Sequence, residues 1–379
     1  MKKIIYIGYL SDINNENRKS APSADTKMKY IISSIKESGN VVSVISCTVS
    51  QKRDGIFKKQ RAYSATIEGT DVQFISSYTS KFRLLRIVGR FCSWISLKKI
   101  IKKICFNNNT IVLIYHSLNL NKLQKYFIKK RKKYILEVEE IYGDVLNDFK
   151  IKKNELNLAA NADKYIFPTY ELNNLVNVND KPYVIVHGTY KVEKKFEHVF
   201  MDNKIHCVYA GTFDTIKGGC LAAIDSALYL DDNYHMHILG FGDENQVLKI
   251  KDEIKKISEL TNCIITYDGL KYGDEYLKFI QSCDIGLSTQ NPNGEYNNTS
   301  FPSKILSYMS NGLKVVTIGI PVVLSSNVGR YLYYYDDQDP VKIAETIKSV
   351  DLTSEFSSES ILRDLDLKFI KDIKNLLGE

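Results

Sequence analysis

The sequence predicts an α/β protein made of two doubly wound, Rossmann-like domains facing a cleft. Three observations carry that expectation. Short Ile/Val/Tyr-rich runs alternate with longer amphipathic or charged stretches, the alternation pauses at a polar stretch around residues 191–203, and then it restarts. With 379 residues the chain exceeds one ordinary core and suits two domains of roughly 150–200 residues each. Hydrophobic residues at 44% against 25% charged exclude a disordered chain.

The elements follow in order. The opening MKKIIYIGYLSD has two lysines and an apolar run, a superficial likeness to a secretory leader. The run is short and reaches Asp12 without a small-residue cleavage site, so it reads as the first strand, residues 3–9. Further strands are predicted at 41–47, 111–115, 134–138, 165–168 and 184–187, with helices at 23–38, 81–105 and 170–176. After the pause, strands are predicted at 206–210, 236–240, 263–267, 285–288 and 314–318. The expected domains are 1–190 and 204–350, with 351–379 holding a helix (357–377) that crosses back to the first. Open α/β sheets bind ligands outside the carboxyl ends of their strands.

Cysteine usage and hydropathy bound the setting. Seven cysteines without paired spacing fit a reducing compartment, and none forms a CxxC or Cys/His cluster of the structural zinc kind. No run reaches the roughly 18 apolar residues of a membrane span. The net charge of +8 is unevenly spread: residues 81–133 hold fifteen Lys/Arg and no Asp or Glu. Subtracting fifteen from +8 leaves the remainder at −7, so one part of the molecule is expected to meet an anionic surface.

Two motifs carry phosphate chemistry. In HCVYAGTFDTIKGGCLAAIDSA, residues 206–227, a strand ends at Gly211 and Gly218-Gly219 open an apolar-periodic helix. Glycines at such a turn let backbone N–H groups approach an anion at the positive end of the helix dipole, and Lys217 stands where its ammonium reaches that anion. The bland alternative is a plain strand–helix turn with a solvated lysine. In NNTSFPSKILSYMSNGLKVVT, residues 297–317, Pro302 suits the first helical turn, Ser300 or Ser303 is expected to cap, Ile305, Leu306 and Met309 form an inward stripe, and Gly312 ends the helix. Lys304 in the first turn opposes the dipole, a cost that a bound diphosphate relieves.

A third stretch, KFRLLRIVGRFCSWISLKKIIKKICF at 81–106, sets Leu84, Leu85, Val88, Phe91 and Ile95 at helical spacing, then Leu97, Ile100, Ile101 and Ile104 on a shifted face. Trp94, Lys98, Lys99, Lys102 and Lys103 complete the pattern of a helix lying in an anionic membrane interface. A core-packed helix with a solvated basic face is the alternative. Nucleic acid is not expected as a partner, because no recognisable binding module accompanies the charge. Glu139 and Glu140, with Asp144, follow a predicted strand and either contact acceptor hydroxyls or stay solvated.

Residues 206–318 resemble the nucleotide-sugar domain of GT-B glycosyltransferases, in particular glycosyltransferase family 4. The resemblance runs through YAGTFDTIKGG, MHILGFGDE, IITYDGL, SCDIGLSTQ and FPSKILSYMSNGLKVV, the last similar to a segment of bacterial surface-polysaccharide enzymes. SAPSADTKMKYI, after the first strand, resembles the acceptor domain of the same group. The family implies sugar transfer from a nucleotide-sugar donor to a glycan or polyprenyl-diphosphate-linked acceptor, with retention; the donor is expected to be UDP-linked, and since no stretch reads as a metal-binding DxD motif, no metal or other cofactor is expected. The cysteine usage and the lack of a membrane span lead to the expectation of a cytoplasmic protein, and peripheral docking on the inner face of the cell membrane also fits the family. The family also implies that Lys217 neutralises the diphosphate, and that the Gly240–Gly242 turn and the backbone near Leu270 approach base and ribose. Ser303, Lys304 and neighbouring amides would hold phosphate and donor sugar, and His116 would lie near the transferred sugar. The chain departs from the pattern: the family's arginine falls on Thr212, its ribose-binding glutamate on Ser307, and that residue's partner on Thr299. Glu295 in the same loop is a possible substitute. These departures keep two rivals open, a non-catalytic GT-B partner subunit or glycan-recognition protein, and a sugar-nucleotide epimerase.

Overall fold

The computed structural model describes residues 1–18, 20–49, 55–106, 109–197, 200–213, 218–354 and 357–378. Contacts divide the chain into two units: Met1–Pro168, Leu172–Thr189 and Lys368–Glu379 form one, Thr169–Glu171 and Tyr190–Leu367 the other.

In the first unit, strand β1 (Lys3–Gly8) has five consecutive buried residues. That is the signature of a central parallel strand covered on both faces rather than a half-exposed one. The other strands of this unit are β2 (Val41–Ser46), β3 (Lys58–Gln60), β4 (Tyr63–Ile67), β5 (Thr70–Phe74), β6 (Ser77–Thr79), β7 (Thr110–Tyr115), β8 (Ile135–Glu137), β9 (Lys164–Phe167) and β10 (Tyr183–Ile185). Eight of them form a sheet of order β10-β9-β8-β7-β1-β2-β5-β4, parallel except for the β4–β5 pair. The sequence reading missed β3 to β6. Their burial alternates or is weak because β4 is an edge strand and β3–β6 is a separate two-stranded ribbon, so no continuous apolar run marks them.

The helices are α1 (Pro22–Glu37), α2 (Arg83–Ile104), α3 (Asn121–Lys129), α4 (Tyr142–Val145), α5 (Phe149–Ala159) and α6 (Tyr170–Val176). One continuous core runs from Ile5 and Ile7 through Val112, Ile114 and Leu136 to Phe167, with Leu97 and Ile101 of α2 packed into it.

The second unit has β11 (Ile205–Thr212), β12 (Tyr234–Phe241), β13 (Ile264–Gly269), β14 (Ile285–Ser288), β15 (Lys314–Ile318) and β16 (Tyr333–Tyr335). They form an all-parallel sheet of order β13-β12-β11-β14-β15-β16. Its helices are α7 (Gly219–Ser226), α8 (Glu244–Ser258), α9 (Gly273–Gln281), α10 (Ser303–Ser310), α11 (Pro321–Leu324), α12 (Pro340–Lys348) and α13 (Ser358–Gly378). Helix α13 begins in this unit; from Lys368 on it belongs to the first, where Phe369 stacks on Tyr30 at 5.4 Å. Strand order grows from β11 in opposite directions, so the topological switch point lies between β11 and β14, where an open α/β sheet leaves its ligand crevice.

Among the described residues, no helix is long and apolar enough to cross a membrane.

Candidate functional site

Strands β11 and β14 pair only through Cys207–Ile285 and Val208–Gly286, and beyond that they part. Tyr308, 1% exposed on α10, fills the gap. Its hydroxyl accepts from the Ala210 amide at 2.8 Å and donates to the Leu287 carbonyl at 3.3 Å. A residue one helical turn before a buried neighbour shares its face, so this wedge also aims Lys304 at the strand ends. Lys304 Nζ donates to Tyr209 Oη at 2.8 Å and sits 3.9 Å from the centre of the Tyr209 ring.

Glycine is required beneath that lysine. A Cβ on Gly211 would stand 2.4 Å from Lys304 Cε and 2.6 Å from Nζ. The register partner of Gly211 is Gly240, whose φ is 151° and whose Cβ would lie 1.9 Å from the Gly211 carbonyl oxygen. Two adjacent strands thus lack side chains one residue before their ends, where an anion would rest on backbone amides.

The first turn of α7 reaches the same place. Gly218, its N-cap, takes the left-handed conformation at φ 62° with no side-chain cap. A Cβ on Gly219 would collide with the Thr289 carbonyl oxygen at 2.1 Å and touch the Tyr209 ring at 3.2 Å. Thr289 Oγ1 donates to the Gly219 carbonyl at 2.6 Å, tying the helix start to the end of β14. Burial pushes the Cys220 thiol up to about 12, with the Lys304 charge pulling the other way. The α7 and α10 starts therefore converge on Tyr209.

The remaining expectations for this unit divide. Lys217 lies outside the described residues. Pro302 is the N-cap of α10, not its first residue, and no side chain caps the helix, which corrects the expectation for Ser300 and Ser303. Proline fits there because its extended ψ of 103° closes the preceding loop before the helix starts. Ser303 is exposed as the first helical residue, Ser300 is half-buried, and Glu295 is exposed at the start of a 3₁₀ turn, Glu295–Asn298. The Thr299 carbonyl accepts from Thr169 Oγ1 at 2.8 Å. Ser307 hydrogen-bonds the Tyr276 phenol, whose own pKa is raised by burial. Thr212 is exposed at the end of β11, Gly242 follows β12, and Leu270, 42% exposed, follows β13.

Sequence reasoning missed Tyr209, Thr289, Tyr308 and Gln338. Buried aromatics in a strand or on an inward helical stripe read as core. Gln338 Nε2 is buried with no hydrogen-bond partner among the described residues, and both polar atoms of its side chain are 3.8 Å from a Cβ on Gly218. A buried, unpaired amide N–H beside a helix start is a donor awaiting an acceptor.

In the first unit, His116 follows β7 and is 2% exposed. Its Nε2 faces Glu155 Oε1 at 2.6 Å, and Gln124 Nε2 lies 3.5 Å from Nδ1. Glu155, fully buried, also accepts from the Tyr142 and Gly143 amides at 2.9 Å each. Glu139 is not a solvated loop carboxylate: it pairs with Lys27 at 3.1 Å, and Lys27 also donates to the Val186 carbonyl at 2.9 Å. Glu140 is half-buried. Glu137, which the sequence reading passed over, is fully buried and hydrogen-bonded by Tyr6 Oη. Burial, then the neighbouring Glu139 charge, raises its pKa well above the usual carboxylate range.

Along α2, Leu84, Ile87, Val88, Phe91 and Ile95 are 77%, 54%, 50%, 56% and 40% exposed, a continuous apolar stripe on the surface. Lys99, Lys102 and Lys103 are exposed beyond it. Trp94 turns inward instead, edge-on to Tyr126 at 6.1 Å, and Lys98 lies over the same Tyr126 ring at 5.4 Å.

No known family's sequence pattern matches the chain, and no curated protein matches it in sequence. Solved structures do match it in shape. The α,α-trehalose 6-phosphate synthase of Burkholderia multivorans is 10% identical at a TM-score of 0.66, covering 100% of this chain and 97% of that one. The lipopolysaccharide outer core galactosyltransferase WaaB is 13% identical at 0.64, covering 99% of each chain. Anabaena Alr3699/HepE, solved with UDP and glucose, is 10% identical at 0.61, covering 100% and 98%. The fold is that of GT-B proteins, with two Rossmann-like sheets.

Proposed function

We propose that the chain is a glycosyltransferase of the family 4 kind that moves a sugar from a UDP-linked donor onto a lipid-linked or growing surface glycan, with retention and without a metal at the reacting centre. The observation that carries this reading is the meeting of the α7 and α10 starts with Lys304 at the β11/β14 switch point. Helix N-termini and a lysine over the paired glycines near the strand ends supply donors for the charge that grows on a departing diphosphate. Lys217, carried over from the resemblance, would add a second cation. HepE was solved with UDP and glucose, and the pneumococcal O-GlcNAc transferase GtfA with UDP and GlcNAc; both have this fold and support the choice of UDP.

His116 takes a positioning role in this reading, since its ring is buried against Glu155 and touches substrate only through the wall it supports. The exposed α2 stripe supports peripheral docking on the cytoplasmic face of an anionic membrane. An apolar stripe of this length is unusual on a free surface, and its flanks carry Arg83, Arg86 and Arg90. Phe82 and Phe91, 49% and 56% exposed, replace Trp94 as the aromatic anchors.

Incubation with UDP-sugars and mass spectrometry of released UDP tests the reading, alongside calorimetry with UDP alone. UDP binding together with sugar release supports it. A non-catalytic GT-B subunit is the second reading, favoured by Thr212 and Ser307 at the family's arginine and glutamate positions; failure to bind any nucleotide would establish it over the first.

A further inference from the structure

Three of the chain's six histidines meet on one face of the second sheet. His206 on β11 is the register partner of His235 on β12, and His237 follows two residues later on the same face. The His235 and His237 rings lie 3.9 Å apart, and one nitrogen from each of the three imidazoles falls within 4.8 Å of the others. Two carboxylates close on them. Asp202 Oδ1 is 2.9 Å from His206 Nε2, its Oδ2 is 3.7 Å from His235 Nδ1, and Asp268 Oδ2 is 3.0 Å from His237 Nδ1. Phe200 stacks on His206 and His237 at 4.1 and 5.0 Å, and Phe279 meets His237 edge-on at 5.1 Å.

Hydrogen-bond accounting shows that this group lacks a positive charge. The chain Asp202–His206–His237–Asp268 has three links, the middle one from His206 Nδ1 to His237 Nε2 at 2.9 Å. Two neutral imidazoles bring two N–H groups. Thr266 Oγ1, 2.9 Å from Asp268 Oδ2 and 3.2 Å from His237 Nδ1, cannot supply the third without leaving that nitrogen and oxygen as facing acceptors. His235 Nδ1, meanwhile, is buried with no hydrogen-bond partner among the described residues. A cation, an added proton or a metal ion, satisfies the arrangement.

We propose that the second unit binds one divalent cation of the zinc class through His206, His235 and His237, with Asp202 and Asp268 as the carboxylates that orient His206 and His237 from their far nitrogens. Imidazole with carboxylate selects zinc, cobalt or nickel over magnesium and calcium. Tetrahedral zinc needs ligand nitrogens about 3.3 Å apart, which small rotations reach from the present 2.9 to 4.8 Å spread. The ion's role is structural. His206 is the second residue of β11 and Gly211 the second from its end, a separation of about 16 Å along the strand, so the ion ties β11, β12 and β13 together at the end opposite the phosphate crevice. This inference does not depend on sugar transfer.

The test uses the tag-free full chain, stripped with chelator and dialysed against Co²⁺ alone. One equivalent by elemental analysis, visible d–d bands displaced by Zn²⁺, and a thermal midpoint raised by Zn²⁺ are expected. The double variant His235→Gln, His237→Gln should lose all three. Asp268→Asn, the milder change, should weaken cobalt binding by about 10–100-fold while keeping the circular dichroism of the parent. Absence of stoichiometric cobalt in the wild-type chain would overturn the site and leave a protonated imidazole pair in its place. Equal binding by wild type and Asp268→Asn, with an unchanged spectrum, would overturn it as well, because the ion would then sit elsewhere.

Discussion

Lys304 Nζ lies 2.8 Å from Tyr209 Oη and 3.9 Å from the centre of the same ring, so one side chain orients the lysine by a hydrogen bond and a cation–π contact at once. The ammonium is thereby held beside Gly211 at the end of β11. Replacing Lys304 with Met keeps the length and removes the charge. UDP affinity measured by calorimetry should fall about 10–100-fold, the range for losing a charge-assisted donor. Tyr209→Phe, which keeps the ring, should lose less than tenfold. Unchanged UDP binding in K304M would remove the lysine from the site.

Gly211→Ala probes the same geometry from beneath. The new Cβ would occupy the space of Lys304 Cε and Nζ, the far end of a flexible side chain, so the fold should survive while the lysine is displaced. The expected pattern is an unfolding midpoint close to that of the parent with UDP affinity lowered as in K304M. A large loss of stability instead would mean that the lysine cannot yield.

Tyr308→Phe leaves the Ala210 amide without its acceptor in a fully buried gap. Urea unfolding should register a loss of about 1–3 kcal/mol. Chemical shifts at the β11 and β14 ends should move most, since this hydroxyl bridges the two strands.

His187 makes the first unit sensitive to acid. Burial lowers its pKa from 6.5 to about 4, and Nδ1–H donates to the Pro168 carbonyl at 2.6 Å. As pH falls through 6.5 the unfolded chain takes up a proton that the folded imidazole refuses until about pH 4. Stability is therefore present above that window and lost across it, by up to about 3 kcal/mol. His187→Asn keeps a donor N–H and does not titrate. Its urea midpoint should change less between pH 7 and pH 5 than that of the parent, and equal slopes would reject the assignment.

The α2 stripe predicts a membrane phenotype. Leu84→Glu with Phe91→Glu should abolish co-sedimentation with phosphatidylglycerol vesicles and leave UDP affinity intact. Loss of self-association in analytical ultracentrifugation, with vesicle binding unchanged, would assign the stripe to a second copy of the chain instead.

Much of this protein was legible in one dimension. Central parallel strands announce themselves because both faces are buried, so β1 and β7 stand out as apolar runs and β2, β11 and β12 as largely apolar ones. The helix start at Ser303 and the Gly218-Gly219 turn are local features whose chemistry depends on neighbouring residues alone, and both were found. Strands β3 to β6 and β16 were not, because strands with one face exposed or only three residues carry too little pattern.

What tertiary structure alone decided is which side chains share a point in space. Tyr209 and Lys304 are 95 residues apart, and only the crossover from β11 to β14 brings them together. The exposure of Leu84 and Phe91, with Trp94 turned inward, depends on how α2 is rolled against its sheet, which helical periodicity leaves open. His206 and His235 stand 29 positions apart with no metal-ligand spacing, yet parallel register sets them side by side. Periodicity is a property of the chain and proximity a property of pairing, and pairing is chosen by the whole core at once.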